Sequence, residues 1–296
     1  MKTILVLTDF SIKAQSAAEF AMHMALKNHA NLLLCHSIEL PGIAASTKKN
    51  EQPAVADEVR RNEMVFDLLQ LSKHLEEQAA FNEKSFIPIV NCVTEFGTIE
   101  QTVNRAIKDH EVDLVVIGSH KSHSLTRFIH GSHTHTILDK LKCPVLLIPE
   151  SFPYRGIHAI TYASDLSFDN RRVINYLVDI ARPFNALISV NHVSLHENPE
   201  ADTKTKELKS YLNTYQPTIF YQHLYEFNIK KSLLKLAVSG DTDMLVLVHK
   251  HYDFADRLFH TSISKQMANT AKIPLLVLPE SFSKTGTAFT AGELVL

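Results

Sequence analysis

Short, nearly continuous apolar segments alternate with longer amphipathic ones along this chain of 296 residues. Apolar segments predict five strands in the first half, at Ile4–Thr8, Leu32–His36, Ile87–Val93, Leu114–Gly118 and Val145–Ile148. Helical spacing is found near 12–28, 53–83, 97–110 and 132–141. Strands and helices that alternate in this way indicate an α/β fold, with a parallel sheet and right-handed crossovers.

The same pattern occurs a second time. Strands are predicted near 158–163, 187–192, 218–224, 244–248 and 275–278, and residues 113–152 align onto 243–282 without a gap. Within that alignment Arg127, His130 and Ser132 recur as Arg257, His260 and Ser262. The repeat and the chain length predict two domains, 1–150 and 151–296, which meet near the prolines and glycine of 149–156.

Other matches lie at different offsets. The run Asp9-Phe10-Ser11 recurs as Asp165-Leu166-Ser167, and His36 recurs as His192, 156 residues later. The pair Glu95-Phe96 recurs as Glu226-Phe227, only 131 residues later. The second half therefore lacks about 25 residues between its second and third strands. That region is helical and charged at 52–81 and is shorter at 198–216.

Composition excludes several classes of function. The formal net charge is −2, so no basic field recruits nucleic acid or an anionic membrane. No apolar run approaches the roughly 18 residues of a membrane span, and the N-terminal run is too short for a signal peptide. Cys35, Cys92 and Cys143 lie in or beside apolar runs, and we expect reduced core thiols in a cytoplasmic protein. The apolar residues of the tail 283–296 are consistent with packing or with disorder.

One aspartate follows the first strand of each half. Asp9 and Asp165 are placed to cap the helix that follows, as short polar side chains often do. They are equally placed to accept ribose hydroxyls or to hold a metal, because ligands of open α/β sheets bind beyond the carboxyl ends of the strands. The two roles are compatible.

The loop after the fourth strand is the second candidate site. It begins at Gly118 and continues through Lys121 and Arg127 to Gly131 and Ser132, where a helix is predicted. A helix N-terminus attracts anions, and glycine lets the backbone approach a phosphate. Solvated cations and a simple serine cap are the alternatives.

This order resembles the universal stress protein family in its tandem form, over nearly all of 1–282. The resemblance rests on the strand–Asp–helix start, the Gly118 loop with Gly131-Ser132, and the closing Cys-Pro-Val-Leu-Leu-Ile-Pro. It implies two five-stranded parallel sheets of order 3-2-1-4-5, with helices on both faces, as in adenine-nucleotide alpha-hydrolase-like proteins. It also implies that domains pair through their fifth strands, within one chain or in a homodimer.

The resemblance further implies a nucleotide site in the first domain. Its positions fall on Asp9, Gly118, Lys121, Gly131 and Ser132, and Arg127 is placed to neutralise phosphate. Lys121 replaces a glycine of the family pattern. In the second half the positions of Gly118, Lys121 and Gly131 are occupied by Val248, His251 and Thr261. We therefore expect at most one nucleotide site.

Five histidines lie in a stretch of sixteen residues that begins in this loop: His120, His123, His130, His133 and His135. Neutral imidazoles bind zinc or nickel, but no cysteine or carboxylate cluster completes a motif. Solvated histidines, or histidines at a contact between domains, are the alternatives. No known nucleophile elbow, Walker loop or zinc-protease motif is present, and a non-enzymatic protein is expected.

The sequence thus predicts a stress-response module that binds an adenine nucleotide, ATP or AMP with Mg²⁺, in its first domain. Two alternatives remain. One is an interaction scaffold that binds no nucleotide, and the other is a metal-dependent nucleotide hydrolase.

Overall fold

The structure is a computed structural model, and it describes residues 1–38, 53–82, 86–119, 137–150, 152–164, 166, 170–194, 199–215, 218–226, 228–237, 240–249, 267 and 272–283. Its strands are Thr3–Leu7 (β1), Asn31–Ile38 (β2), Val90–Phe96 (β3), Val112–Ser119 (β4), Val145–Pro149 (β5), Ala159–Ser164 (β6), Leu187–Ser194 (β7), Ile219–Tyr225 (β8), Met244–His249 (β9) and Leu275–Pro279 (β10). Its helices are Ile12–Asn28 (α1), Pro53–Asn82 (α2), Ile99–Asp109 (α3), Arg171–Ala181 (α4), Pro199–Leu212 (α5), Ile229–Leu236 (α6) and Glu280–Ser283 (α7).

The strands form one sheet in the order β3-β2-β1-β4-β5-β10-β9-β6-β7-β8. The predicted order 3-2-1-4-5 is therefore present in each half, and the α/β class is confirmed. The two predicted five-stranded sheets join through their fifth strands, β5 and β10, into one sheet of ten strands, as the resemblance implied. Within each half the neighbouring strands are parallel.

The junction between β5 and β10 is antiparallel and self-complementary. Leu146 lies opposite Leu276, which is its own counterpart 130 residues later in the repeat. Leu147 lies opposite Leu275, and Val145 lies opposite Val277. All residues of both strands are buried. The two halves are therefore related by an approximate twofold axis that passes between these strands.

Apolar side chains cover both faces of the sheet. One cluster includes residues of α1, α2, α4 and α5, and the other includes residues of α3 and α6. Each cluster contains leucines from both β5 and β10, so the core continues across the junction. Of the helices that the structure describes, none is long and apolar enough to cross a membrane.

The second half is shorter where the repeat offsets predicted. The helix between its second and third strands, α5, has 14 residues, whereas α2 has 30. The third and eighth strands, however, do not align as the repeated Glu-Phe pair suggested. Phe96 lies opposite Ile38, whereas Tyr225 lies opposite Ser194, the counterpart of Ile38. Glu226 thus follows the position equivalent to Phe96, and the pair is displaced by two residues, which preserves the alternation of faces.

The three cysteines are free thiols. Cys35 and Cys143 are buried, and burial raises the pKa of both, that of Cys35 to about 12. Burial also raises the pKa of Cys92, which is half-buried. Thiolate is the reactive form, so these environments suppress reaction with electrophiles.

We expect Cys35 and Cys143 to resist iodoacetamide at pH 8 in the folded protein, because neither is accessible or ionised. Cys92 should react slowly, and all three should react after denaturation in urea. Mass spectrometry of tryptic peptides measures each site separately. Rapid native modification of Cys35 would contradict the core position described above.

Candidate functional site

A cavity of about 430 Å³ lies at the carboxyl ends of β1, β2 and β4. Ligands of open parallel sheets bind at this edge, and here strand order reverses between β1 and β4. Its lining comes from six elements of the first half: β1 and its following turn (Leu7, Thr8, Asp9), α1 (Lys13, Ala14), β2 (His36, Ser37, Ile38), α2 (Arg60, Glu63, Met64), α3 (Ile99) and β4 (Ile117, Gly118).

The turn after β1 presents Asp9 to the cavity. Phe10 has the left-handed φ of 59°, and its counterpart Leu166 has a φ of 60°. Non-glycine residues adopt this conformation at a cost of about 1 kcal/mol or more, so both halves retain the same strained turn. In the first half the turn returns the Ser11 N–H and hydroxyl to the Asp9 carboxylate.

Asp9 is not the helix cap that one interpretation of the sequence assigned to it. The cap of α1 is Ser11, whose hydroxyl accepts a hydrogen bond from the Ala14 N–H. Asp9 instead accepts from Ser11, with 3.1 Å from the Ser11 nitrogen to Oδ1. The Asp9 carboxylate therefore supports the turn and lines the cavity.

Lys13 is the unexpected charged group of the site. Its side chain is 3% exposed, and Nζ lies 3.3 Å from Asp9 Oδ2. Burial raises the pKa of Asp9, but hydrogen bonds from Ser11 and the charge of Lys13 outweigh it and leave the pKa below its usual value. Lys13 shares the buried face of α1 with Ala17, Phe20 and Met24. A lysine in an apolar helical stripe was the sequence signal that could have identified it.

His36 supplies an acceptor to the same cavity. Its Nδ1 lies 2.8 Å from the Thr8 carbonyl oxygen and donates to it, which leaves Nε2 as the acceptor of the neutral ring. In the second half His192 Nδ1 lies 2.8 Å from the Ser164 carbonyl oxygen. The histidine repeat noted in the sequence therefore reflects one shared structural bond. The helix α2 adds Arg60 and Glu63 at the cavity wall, and sequence reasoning identified neither.

Gly118 lines the cavity and lies against the first turn of α1. A Cβ at this position would be 2.6 Å from the Lys13 carbonyl oxygen and 2.8 Å from its carbon. These are backbone atoms that cannot move without shifting α1. Glycine is thus required here for close helix–strand contact, and Val248 takes its place in the second half.

Most of the other predicted site residues lie outside the described residues. These are Lys121, Arg127, Gly131, Ser132, Asp165 and the histidines His120, His123, His130 and His133. The structure brings Asp9 and Gly118 together at one cavity. Within the ranges given above, no three His, Cys, Asp or Glu side chains are grouped as a metal site requires.

Comparison with known proteins places the fold. The sequence profile of the Universal stress protein family matches residues 1–149. The chain belongs to the universal stress protein family. No curated protein matches the chain.

Several solved structures are similar to this chain over most of its length. A universal stress protein from Archaeoglobus fulgidus DSM 4304 has a TM-score of 0.72 at 12% identity, over 94% of this chain and 98% of that one. A putative universal stress protein from Pseudomonas aeruginosa UCBPP-PA14 has a TM-score of 0.59 at 15% identity, over 94% and 93%. The cytoplasmic domain of a prokaryotic cation chloride cotransporter has a TM-score of 0.54 at 13% identity, over 96% and 97%. At these identities the likeness concerns the fold alone.

We expect Gly118→Ala to destabilise the protein by about 1–3 kcal/mol, because the added methyl group overlaps the backbone of α1. Urea unfolding followed by circular dichroism measures the change. Ser119→Ala, at the next position of the same strand, adds no atom and should cost less than about 1 kcal/mol. Equal stability of Gly118→Ala and the wild type would refute the close contact.

The lowered pKa of Asp9 predicts how the stability of the fold depends on pH. Its folded pKa is lowered, so its contribution to stability is complete above the unfolded value of about 4 and is lost as pH falls through the folded pKa. Asp9→Asn should therefore lose less stability than the wild type between pH 5 and pH 3, as measured by urea midpoints. Parallel pH profiles for the two proteins would contradict this assignment.

Proposed function

We propose that this chain is a tandem universal stress protein that binds one adenine nucleotide, ATP or AMP with Mg²⁺, at the cavity of its first domain. The cavity between β1 and β4 is the observation that carries the proposal. A volume of about 430 Å³ lies within the usual range of small-molecule sites, and apolar walls combine with a few polar groups there.

The cavity lining suits a small ligand that has both an apolar part and polar groups. Leu7, Ile38 and Ile117 offer an apolar surface for a planar base. Lys13 and Arg60 carry positive charge, and Asp9 and Glu63 carry negative charge, so the lining is balanced. A nucleoside needs apolar contact for the base and hydrogen-bonding groups for the sugar. In this proposal Gly118, Lys121, Arg127, Gly131 and Ser132 face the phosphates.

The second domain is proposed to bind no nucleotide in this manner. Its counterpart of Gly118 is Val248, and no glycine occurs in its loop. We propose that it pairs with the first domain through β5 and β10 within one chain, as a structural partner. Three free thiols support a cytoplasmic protein, and the role proposed for it is binding.

We expect isothermal titration with AMP or ATP, with and without Mg²⁺, to give one site per chain. Asp9→Asn should weaken binding about tenfold or more, whereas Asp109→Asn, an exposed carboxylate at the end of α3, should leave it unchanged. No heat and no thermal stabilisation at millimolar ATP would refute the proposal. Two equal sites per chain would refute the assignment to the first domain.

An interaction scaffold without nucleotide is the second candidate. The observation that favours it is that the Asp9 carboxylate already has Ser11 and Lys13 as partners. The titration above separates the two functions. A metal-dependent hydrolase, in contrast, requires phosphate release from ATP that depends on the added metal and is lost in His120→Ala.

A further inference from the structure

A second cavity, of about 860 Å³, lies between α1, the last turns of α2 and the segment 152–154 that follows β5. We call it the linker cavity, because this segment connects the two halves of the chain. Among the described residues, it shares no lining residue with the cavity proposed for the nucleotide. Its volume lies within the usual range of small-molecule sites.

Aromatic rings form much of the wall of the linker cavity. Tyr154 stacks on His23, with 4.1 Å between the ring centroids, and meets the edge of Phe20 at 5.2 Å. Phe152 lies 6.3 Å from Phe20. These contacts hold the linker against α1. Phe81, at the end of α2, is 91% exposed, so its ring lines the cavity without being anchored in the core.

The charged groups of the lining are carboxylates. Glu19 and Glu77 line the cavity, whereas no lysine or arginine does so among the residues that the structure describes. Lys73 lies outside the lining, with Nζ 3.9 Å from Glu77 Oε1, and both side chains are largely exposed. An exposed pair of this kind contributes little stability, so a bound cation can take the place of Lys73.

The two histidines of the lining add no positive charge at neutral pH. The Gln78 amide nitrogen lies 2.9 Å from His74 Nε2, and an amide nitrogen only donates, so Nε2 is the acceptor of a neutral ring. Burial lowers the pKa of His23 more than the nearby Glu19 raises it. Glu19 Oε1, 3.8 Å from His74 Nε2, therefore faces a neutral ring, and the cavity lining is negative.

Carboxylates beside aromatic rings match one class of ligand. An alkylammonium group presents its charge to the carboxylates and its carbon surface to the rings, and cation–π attraction adds to both contacts. An anion would be repelled by Glu19 and Glu77. A protein metal site needs three or more close ligands, and no such group of His, Cys, Asp or Glu occurs in the described part of the chain.

The second half differs at the equivalent place. Asn175 stands 156 residues after Glu19, and its Oδ1 accepts hydrogen bonds of 2.6 Å from the hydroxyls of Tyr211 and Tyr215. Lys284 stands at the place of Tyr154, 130 residues later. The polar group of the second half is thus uncharged and is used within the protein. The combination of carboxylates and aromatic rings belongs to the first half.

We propose that the linker cavity binds a small organic cation, an alkylammonium compound, between its aromatic rings and its two carboxylates. Glu19 and Glu77 recognise the charge, and Phe81 and Tyr154 contact the carbon surface of the ligand. The site is separate from the cavity proposed for the nucleotide and does not depend on nucleotide binding.

Choline and 3,3-dimethylbutan-1-ol test the charge, because the two molecules have nearly the same shape and only choline is cationic. We expect titration calorimetry on the intact protein to detect choline at millimolar concentration, and the neutral alcohol to bind about fivefold or more weakly. Tetramethylammonium and spermidine extend the test to other ammonium groups. Equal affinity for choline and the alcohol would overturn the proposal, as would the failure of all three cations to bind.

The carboxylates are tested by a matched pair of double variants. Glu19→Gln/Glu77→Gln should weaken choline binding about tenfold or more and leave the affinity for the neutral alcohol within about twofold. Glu58→Gln/Glu76→Gln makes the same change of net charge at exposed positions of α2 outside the lining, and should bind choline as the wild type does. An equal loss in both double variants would show unspecific attraction to an acidic surface and overturn the site.

The aromatic wall is tested in the same way. Phe81→Ala should weaken choline binding about threefold or more, whereas Phe66→Ala, which removes another exposed phenylalanine of α2, should leave it unchanged. Thermal denaturation verifies that both variants are folded. Wild-type choline affinity in Phe81→Ala would overturn the recognition of the cation by this ring.

Discussion

The strands β5 and β10 would otherwise be the exposed edges of separate sheets, and they pair with each other through three residues each while every residue of both strands is buried. Open apolar edges promote association, so their mutual coverage removes the main liability of each half. The pairing is antiparallel and brings Leu146 to its own repeat counterpart, Leu276. Both apolar clusters of the core pass through this junction, so the ten strands depend on it.

The duplicated scaffold has diverged most at the edge of the sheet where ligands bind. Both halves retain a left-handed residue after the first strand and a histidine that donates to the backbone beside it. Gly118 admits the first turn of α1, whereas Val248 stands at its place in the second half. In the second half Asn170, beside the start of α4, accepts hydrogen bonds from the hydroxyls of Tyr162 and Ser164. The shared bonds stabilise the turn in both halves, and the differences change the side chains that surround it.

Sequence reasoning predicted the strands well because nearly continuous apolar runs are specific for buried parallel strands. The resemblance grouped Asp9 with Gly118, and the structure places both at the carboxyl ends of strands at the same sheet edge. Sequence reasoning left Asp9 open as the cap of α1 or as a ligand group, because both Asp9 and Ser11 are suitable cap residues and only the backbone path distinguishes them. It also aligned Glu226 with Glu95, and this alignment was wrong by two residues. A repeated dipeptide shows chemical similarity but does not specify strand register.

The sequence by itself determined the α/β class and the duplication, because periodicity and repetition are local properties of the chain, and the strand order of each half followed from its resemblance to a known family. Only the tertiary structure decided that the fifth-strand pairing implied by the resemblance occurs within one chain and gives one sheet. This pairing of β5 with β10 joins residues about 130 positions apart, so no local pattern specifies it. The tertiary structure likewise decided that Lys13 is buried beside Asp9 and that α2 contributes Arg60 and Glu63 to the cavity. Whether a charged side chain is solvated or enclosed depends on what packs over it, and that information is not local.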